Sequence, residues 1–233
     1  MEQTKLMMQT EEAGEPGKEE RQQMVDLGAA TVKSSRGTVY ILTIIGQIEG
    51  HQVLPETAKS TKYEHVLPLL ASMEESDEID GVLILLNTVG GDIEAGLAIA
   101  ELIAGMKKPT VSLVLGGGHS IGIPLATSTD YSFIAETATM TLHPIRTNGL
   151  VITAETTFDY LRRTQERVID FIEKHSRADR ETIVRLMNRT ENMPNDVGTI
   201  LFGHEAVEAG IIDEVGGLSQ ALRKLRKEIE EKD

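Results

Sequence analysis

Three apolar runs, each leading to glycine, constrain this chain more than any other feature. They are Thr38-Val-Tyr-Ile-Leu-Thr-Ile-Ile45 before Gly46, Ile79-Asp-Gly-Val-Leu-Ile-Leu-Leu86 before Gly90-Gly91, and Thr110-Val-Ser-Leu-Val-Leu115 before Gly116-Gly-Gly-His-Ser-Ile-Gly122. Branched residues with little polar alternation suit strands buried on both faces, as in a parallel sheet. Between the runs the period changes. Val66, Leu69, Leu70 and Met73 predict an amphipathic helix over residues 61–73, entered through the first turns around Pro68. Ile93 to Met106 reads as a second helix, with Asp92 as N-cap and Lys107-Lys-Pro109 as its stop. Strand, glycine turn and helix, repeated, predict right-handed βαβ units and an α/β fold with a mostly parallel sheet. Ligands collect at the carboxyl ends of such strands, where Gly90-Gly91 and Ser120 fall.

Downstream, Tyr131–Ile134 and Thr139–Leu142 read as short strands, the second ended by His143-Pro144. A long helix is expected from Thr153 to about Ser176, with Phe158, Leu161, Val168, Phe171 and Ile172 as its apolar stripe; a helix this polar suggests a projecting arm for self-association. Further expected elements are a helix from Arg180 to about Asn188, a strand at Ile200–Phe202, a helix over Gly203–Ala209, a short strand at Ile211-Ile212 and a charged helix from Leu218. Residues 1–35 carry few large apolar groups and are expected to be a flexible acidic tail, leaving 36–233 as one domain.

Composition narrows the function. The chain has no cysteine, which excludes disulfides and thiol catalysis. A formal charge of -14 weighs against nucleic acid or anionic membrane as partner. No run approaches the ~20 apolar residues of a membrane span, and no secretory signal is visible at Met1, so a cytoplasmic protein is expected. His51, His65, His175 and His204 show no metal-ligand spacing, and no metal or other cofactor is implied.

Ser120, between glycines at a strand-to-helix turn, has a nucleophile's setting. The same glycines also suit a tight turn with no chemistry. Acyl transfer by serine needs a base, a group that orients the base, and N–H donors for the oxyanion. His143 is the candidate base, and the N–H groups of Gly91 and Ile121 are the candidate donors. His119 adjoins Ser120 on a sharp turn, where neighbours point apart, and reads as packing or a substrate subsite rather than as the base. Asp196, in the polar turn Thr190–Thr199, is the candidate orienting acid.

Five stretches in this order resemble the Clp-type serine peptidases, in the ClpP-like branch that includes the translocation-enhancing group. They are Gly46-Gln-Ile-Glu49, Leu85-Leu-Asn-Thr-Val-Gly-Gly91, Gly117-Gly-His-Ser-Ile-Gly122, Met140-Thr-Leu-His-Pro144 and Glu205-Ala-Val-Glu-Ala-Gly-Ile-Ile-Asp213. The resemblance implies a ClpP/crotonase-like fold with a projecting handle helix at 153–176. It also implies a homo-oligomer of stacked rings enclosing a proteolytic chamber, a peptide or unfolded protein as substrate, and an ATP-driven unfoldase as partner. Ser120 then matches the nucleophile, His143 the base, and Gly91 and Ile121 the oxyanion donors. The chain departs from the pattern where Thr88-Val89 replaces Ser-Pro, and where the acid's position, counted back from Glu205, falls on Gly198. A triad completed by Asp196, a Ser-His dyad and a silent site all remain open. Two alternatives stand beside the peptidase: a peptide-binding pseudoprotease scaffold, and a signal-peptide-peptidase-like Ser-Lys enzyme, for which Lys107 and Lys108 lie at the wrong end of their helix.

Overall fold

The computed structural model describes residues 28–146, 153–191 and 197–232. Strands β1 (Ala29–Ser34), β2 (Gly37–Glu49), β4 (Gly81–Gly91), β5 (Thr110–Gly118), β6 (Tyr131–Ile134) and β9 (Glu214–Val215) form a sheet in the order β1-β2-β4-β5-β6-β9. Within this order only β1 runs antiparallel to its neighbour; β2, β4, β5, β6 and β9 are parallel, as the apolar runs predict. The short strand β3 (Ser60–Lys62) pairs with the end of β2. Strands β7 (Thr139–Leu142) and β8 (Thr199–Phe202) form an antiparallel pair, joined to β5 at Gly117 and Thr139.

Alternation along the strands divides the core between two faces. Leu42, Ile44, Val82, Ile84, Leu86 and Val114 point to one face, under α1 (Tyr63–Glu75), α2 (Ile93–Ala104) and α3 (Gly122–Thr127). The same cluster takes in Val168 and Ile172 of α4 (Ala154–Lys174), Ile183 and Met187 of α5 (Arg180–Met187), and Ala206 of α6 (Gly203–Glu208). On the other face, Val39, Leu83, Val111, Leu113 and Phe133 meet Ala221, Leu225 and Ile229 of the C-terminal helix α7 (Leu218–Lys232). The continuous apolar runs of β4 and β5 follow from this two-sided cover.

Several expected boundaries are corrected. Residues 29–34, assigned to the tail, pair with Gly37–Leu42 as an edge strand; residues 1–27 lie outside the described set. Gly46 does not end β2. Its φ of +78° makes a bulge, and a Cβ there would lie 2.2 Å from the Lys59 carbonyl oxygen, so glycine lets β3 approach while the strand continues to Glu49. Asn87–Gly91 and Gly116–Gly118 likewise extend β4 and β5. Pro68 sits within α1 rather than at its entry. Ile211 and Ile212 are buried but form no strand, because both N–H groups return to the Ala206 carbonyl at the end of α6. Asp92 caps α2 as expected, its Oδ1 accepting from Ala95 N–H at 2.9 Å.

Leu225 is fully buried against the sheet and packs over Gly81. Leu225→Ala is expected to destabilise the chain by about 2–5 kcal/mol, seen as a lower urea midpoint with an unchanged slope.

Candidate active site

Strand β5 ends at Gly118, and the chain turns through His119 and Ser120 into α3. Ser120 has φ +55° and is the only non-glycine at positive φ among the described residues. A side chain costs roughly 1–3 kcal/mol in such a conformation, which persists only where the surroundings fix it. Here several contacts fix it. Ser120 N–H donates to the Thr141 carbonyl of β7 at 2.8 Å, Gly122 N–H to His119 at 2.9 Å, and Ile123 N–H to Ser120 at 3.0 Å. Gly90 closes the other side: a Cβ there would lie 2.8 Å from both the Ser120 Cβ and the His119 carbonyl oxygen.

Thr88 sets the adjacent strand. Its buried hydroxyl donates to the Gly46 carbonyl at 2.6 Å and accepts from Gly90 N–H at 3.0 Å, while its carbonyl accepts from His119 N–H. The Thr88 that departs from the family pattern is thus the clip that joins β2, β4 and the Ser120 turn. Gly91, at φ +151°, has no room for a side chain, since a Cβ would lie 2.3 Å from the Ile48 carbonyl oxygen.

Ser120, Ile121, Gly91 and His143 line one cavity of about 160 Å³, at the carboxyl edge of the sheet. The remaining wall is mainly apolar, with Ile93 of α2, Leu142 of β7, Val168 and Ile172 of α4 and Met187 of α5. Four of the five sequence-predicted residues are therefore brought together. The fifth, Asp196, lies outside the described residues.

His143 follows β7, and its Nδ1 lies 2.7 Å from the Pro144 carbonyl oxygen. A carbonyl only accepts, so this contact places the proton on Nδ1 and leaves Nε2 as an acceptor. Gly198, at φ +139°, packs against the backbone of Leu142 and His143. A Cβ there would lie 2.3 Å from the Leu142 carbonyl oxygen and 2.9 Å from the His143 Cβ. The position that matches the family's acid is thus pressed against the backbone of β7.

His119 is held between Thr141 and Gly117. Its Nδ1 contacts the Thr141 hydroxyl at 2.8 Å, and its Nε2 lies over Gly117. Burial, and then the charge of His143, hold its pKa below that of a free imidazole. Lys108 donates to the Ser76 and Ile79 carbonyls at the opposite end of β5 from Ser120. Nine strand residues, about 30 Å at ~3.3 Å each, separate the lysine end from the serine end. The Ser-Lys arrangement is accordingly not formed.

The helix α4 is tied to the site's rim by Arg167, whose guanidinium donates to both carboxylate oxygens of Glu94 at 2.6 and 3.0 Å. That bond holds the Glu94 carboxyl below its usual range. The inner half of α4 is buried, whereas Phe158 and Tyr160 on its outer half are exposed. Thr141 and the Pro144 carbonyl are given no role by the sequence reading, and Thr88 and Gly90 stand out there only as a departure from the family pattern and as half of a glycine turn. Only the polar residue within the apolar run Met140–Leu142 gave any signal for Thr141.

The Clp protease family model matches residues 37–218. Translocation-enhancing protein TepA of Halalkalibacterium halodurans is 54% identical over 205 residues, covering 88% of this chain and 80% of that protein. The ATP-dependent Clp protease proteolytic subunit 1 of Chlamydia muridarum is 24% identical, over 57% of this chain and 68% of its own. The corresponding subunit of Leuconostoc citreum is 25% identical over 52% and 63%. The matched segment runs from β2 into the start of α7 and contains the whole cavity, and the chain belongs to the Clp protease family.

Proposed function

We propose that this chain is a serine endopeptidase that cleaves peptides or unfolded proteins through an acyl-enzyme at Ser120. The observation that carries this reading is the left-handed turn that fixes Ser120 on the cavity that His143 also lines. His143 Nε2 takes the Ser120 hydroxyl proton as Oγ attacks the scissile carbonyl carbon, then returns it to the leaving amine. The N–H groups of Gly91 and Ile121 receive the oxyanion. Gly122 and Ile123 spend their own N–H groups inside the turn, so Ile121 is the amide this turn offers a substrate. Water repeats the sequence on the acyl-enzyme and regenerates Ser120. No cofactor enters any step.

The Pro144 carbonyl orients His143 but carries no full negative charge to stabilise the imidazolium, which makes a Ser-His dyad of modest rate. Asp196 is the acid that would raise it to a triad. The exposed outer half of α4 supports its role as the handle through which rings of a homo-oligomer stack in the cytoplasm, with an ATP-driven unfoldase delivering substrate. A second reading, the peptide-binding scaffold, is favoured by one observation: glycine at the acid's position, seated tightly against β7.

Fluorophosphonate labelling tests the assignment. Ser120→Ala is expected to abolish labelling, and His143→Ala to slow it by roughly 10²–10⁴-fold, both without loss of folding. Asp196→Asn is expected to cost far less than the ~10⁴-fold typical of losing a triad acid. An unlabelled wild-type chain would favour the scaffold.

Gly198→Asp is expected not to install the family's acid. The new Cβ would displace the Leu142 carbonyl, so stability falls by about 1–3 kcal/mol and labelling slows, as denaturation and labelling kinetics on one preparation would show.

A further inference from the structure

A second concave site lies where the chain leaves the matched segment. Arg36 of the β1–β2 turn and Leu218, Ser219, Leu222, Arg223 and Arg226 of α7 line an open groove of about 560 Å³. Arg36 immediately precedes the match and Leu218 is its last residue, so the groove is built almost entirely from the flanks of the family segment. Its floor is apolar. Leu218 is 50% exposed, and Leu222 packs partly against the outer-face core.

Its rim is cationic and uncompensated. Among the described residues none of Arg36, Arg223 and Arg226 has a carboxylate in salt-bridge reach, whereas Arg162, Arg167, Arg177 and Arg180 each do. Arg223 donates to the Ser219 hydroxyl at 3.0 Å, and Nε of Arg226 is buried without a hydrogen-bond partner among the described residues. A buried N–H without an acceptor is costly, and three like charges around one groove repel. Three guanidinium groups without a paired carboxylate among the described residues, in a chain of net charge -14 with acids abundant, make this groove a local positive patch complementary to an acidic ligand.

We propose that this groove binds an acidic segment of a partner protein, with an apolar side chain seated between Leu218 and Leu222 and flanking carboxylates paired with the three arginines. Guanidinium forks match carboxylates in two-point geometry, and arginine is enriched at protein interfaces. Concavity suits an inserted side chain. An anionic membrane or a nucleic acid is an extended surface that the rest of this acidic chain repels, whereas a short segment meets only the local patch. The proposal is independent of the peptidase reading.

Selection of a random peptide display library on the full chain, with fluorescence anisotropy of the enriched peptides, tests it. Enriched peptides are expected to place two or more Asp or Glu near a Leu, Ile, Met or Phe, and to lose affinity steeply as salt rises through about 0.1 M. Arg36→Glu with Arg223→Glu, both at exposed positions and expected to leave the melting temperature unchanged, should weaken them at least about tenfold, ~1.4 kcal/mol. No enrichment, enrichment of basic or uncharged peptides, or full binding by the variant overturns the proposal. So does arginine-dependent binding to phosphatidylserine vesicles without acidic peptide binding. A change in the variant's oligomeric state without peptide would instead assign the groove to a second copy of this chain, and would also overturn it.

Discussion

The hydrogen bond from Ser120 N–H to the Thr141 carbonyl is the interaction on which the site's geometry depends. A serine at φ +55° is held there against its own preference, and this bond joins the turn to β7, the strand that delivers His143. The two residues are 23 positions apart in sequence. One backbone contact thus brings the hydroxyl-bearing turn and the imidazole-bearing strand end to one cavity. Gly90 and Thr88 complete the clamp from β4, so three strands converge on a single strained residue.

That convergence needs a rigid sheet behind it. Burial on both faces supplies one, with the larger core under α1 to α5 and a smaller one under α7. Dense packing of this kind transmits strain rather than absorbing it. It explains how backbone that would relax in a loose turn stays fixed at the sheet's edge. The half-exposed Arg167–Glu94 pair ties α4 to the start of α2, beside the Gly91–Asp92 turn.

The parallel core was legible because two-sided burial leaves unbroken apolar runs, and the gathering of Ser120, His143, Gly91 and Ile121 around one cavity was legible because glycine and strand-end patterns mark a sheet edge. The glycines themselves misled. At Gly46 and Gly116–Gly118 the residue serves close approach of another backbone or side chain within a continuing strand, and a sequence cannot distinguish that from a turn. The edge strand β1 was missed because an edge tolerates polar, exposed positions such as Lys33 and Ser34. The carbonyls of Thr141 and Pro144, which hold Ser120 and His143, are backbone groups that every residue possesses, so no side-chain pattern could point to them.

Ser120 and His143 line a single cavity, and the proposed chemistry requires the hydroxyl and the imidazole to flank one bound carbonyl there. A peptidyl chloromethyl ketone tests it directly, because this reagent becomes bonded both to a serine oxygen and to a histidine nitrogen only when the two flank the same bound carbonyl. Peptide mapping of the treated chain by mass spectrometry is predicted to find His143 alkylated at Nε2 with loss of chloride, and this alkylation is predicted to vanish in Ser120→Ala, because the serine hemiketal that positions the reagent forms only in the folded site and reverses on digestion. Modification of another residue, of none, or of His143 equally in Ser120→Ala would contradict the account.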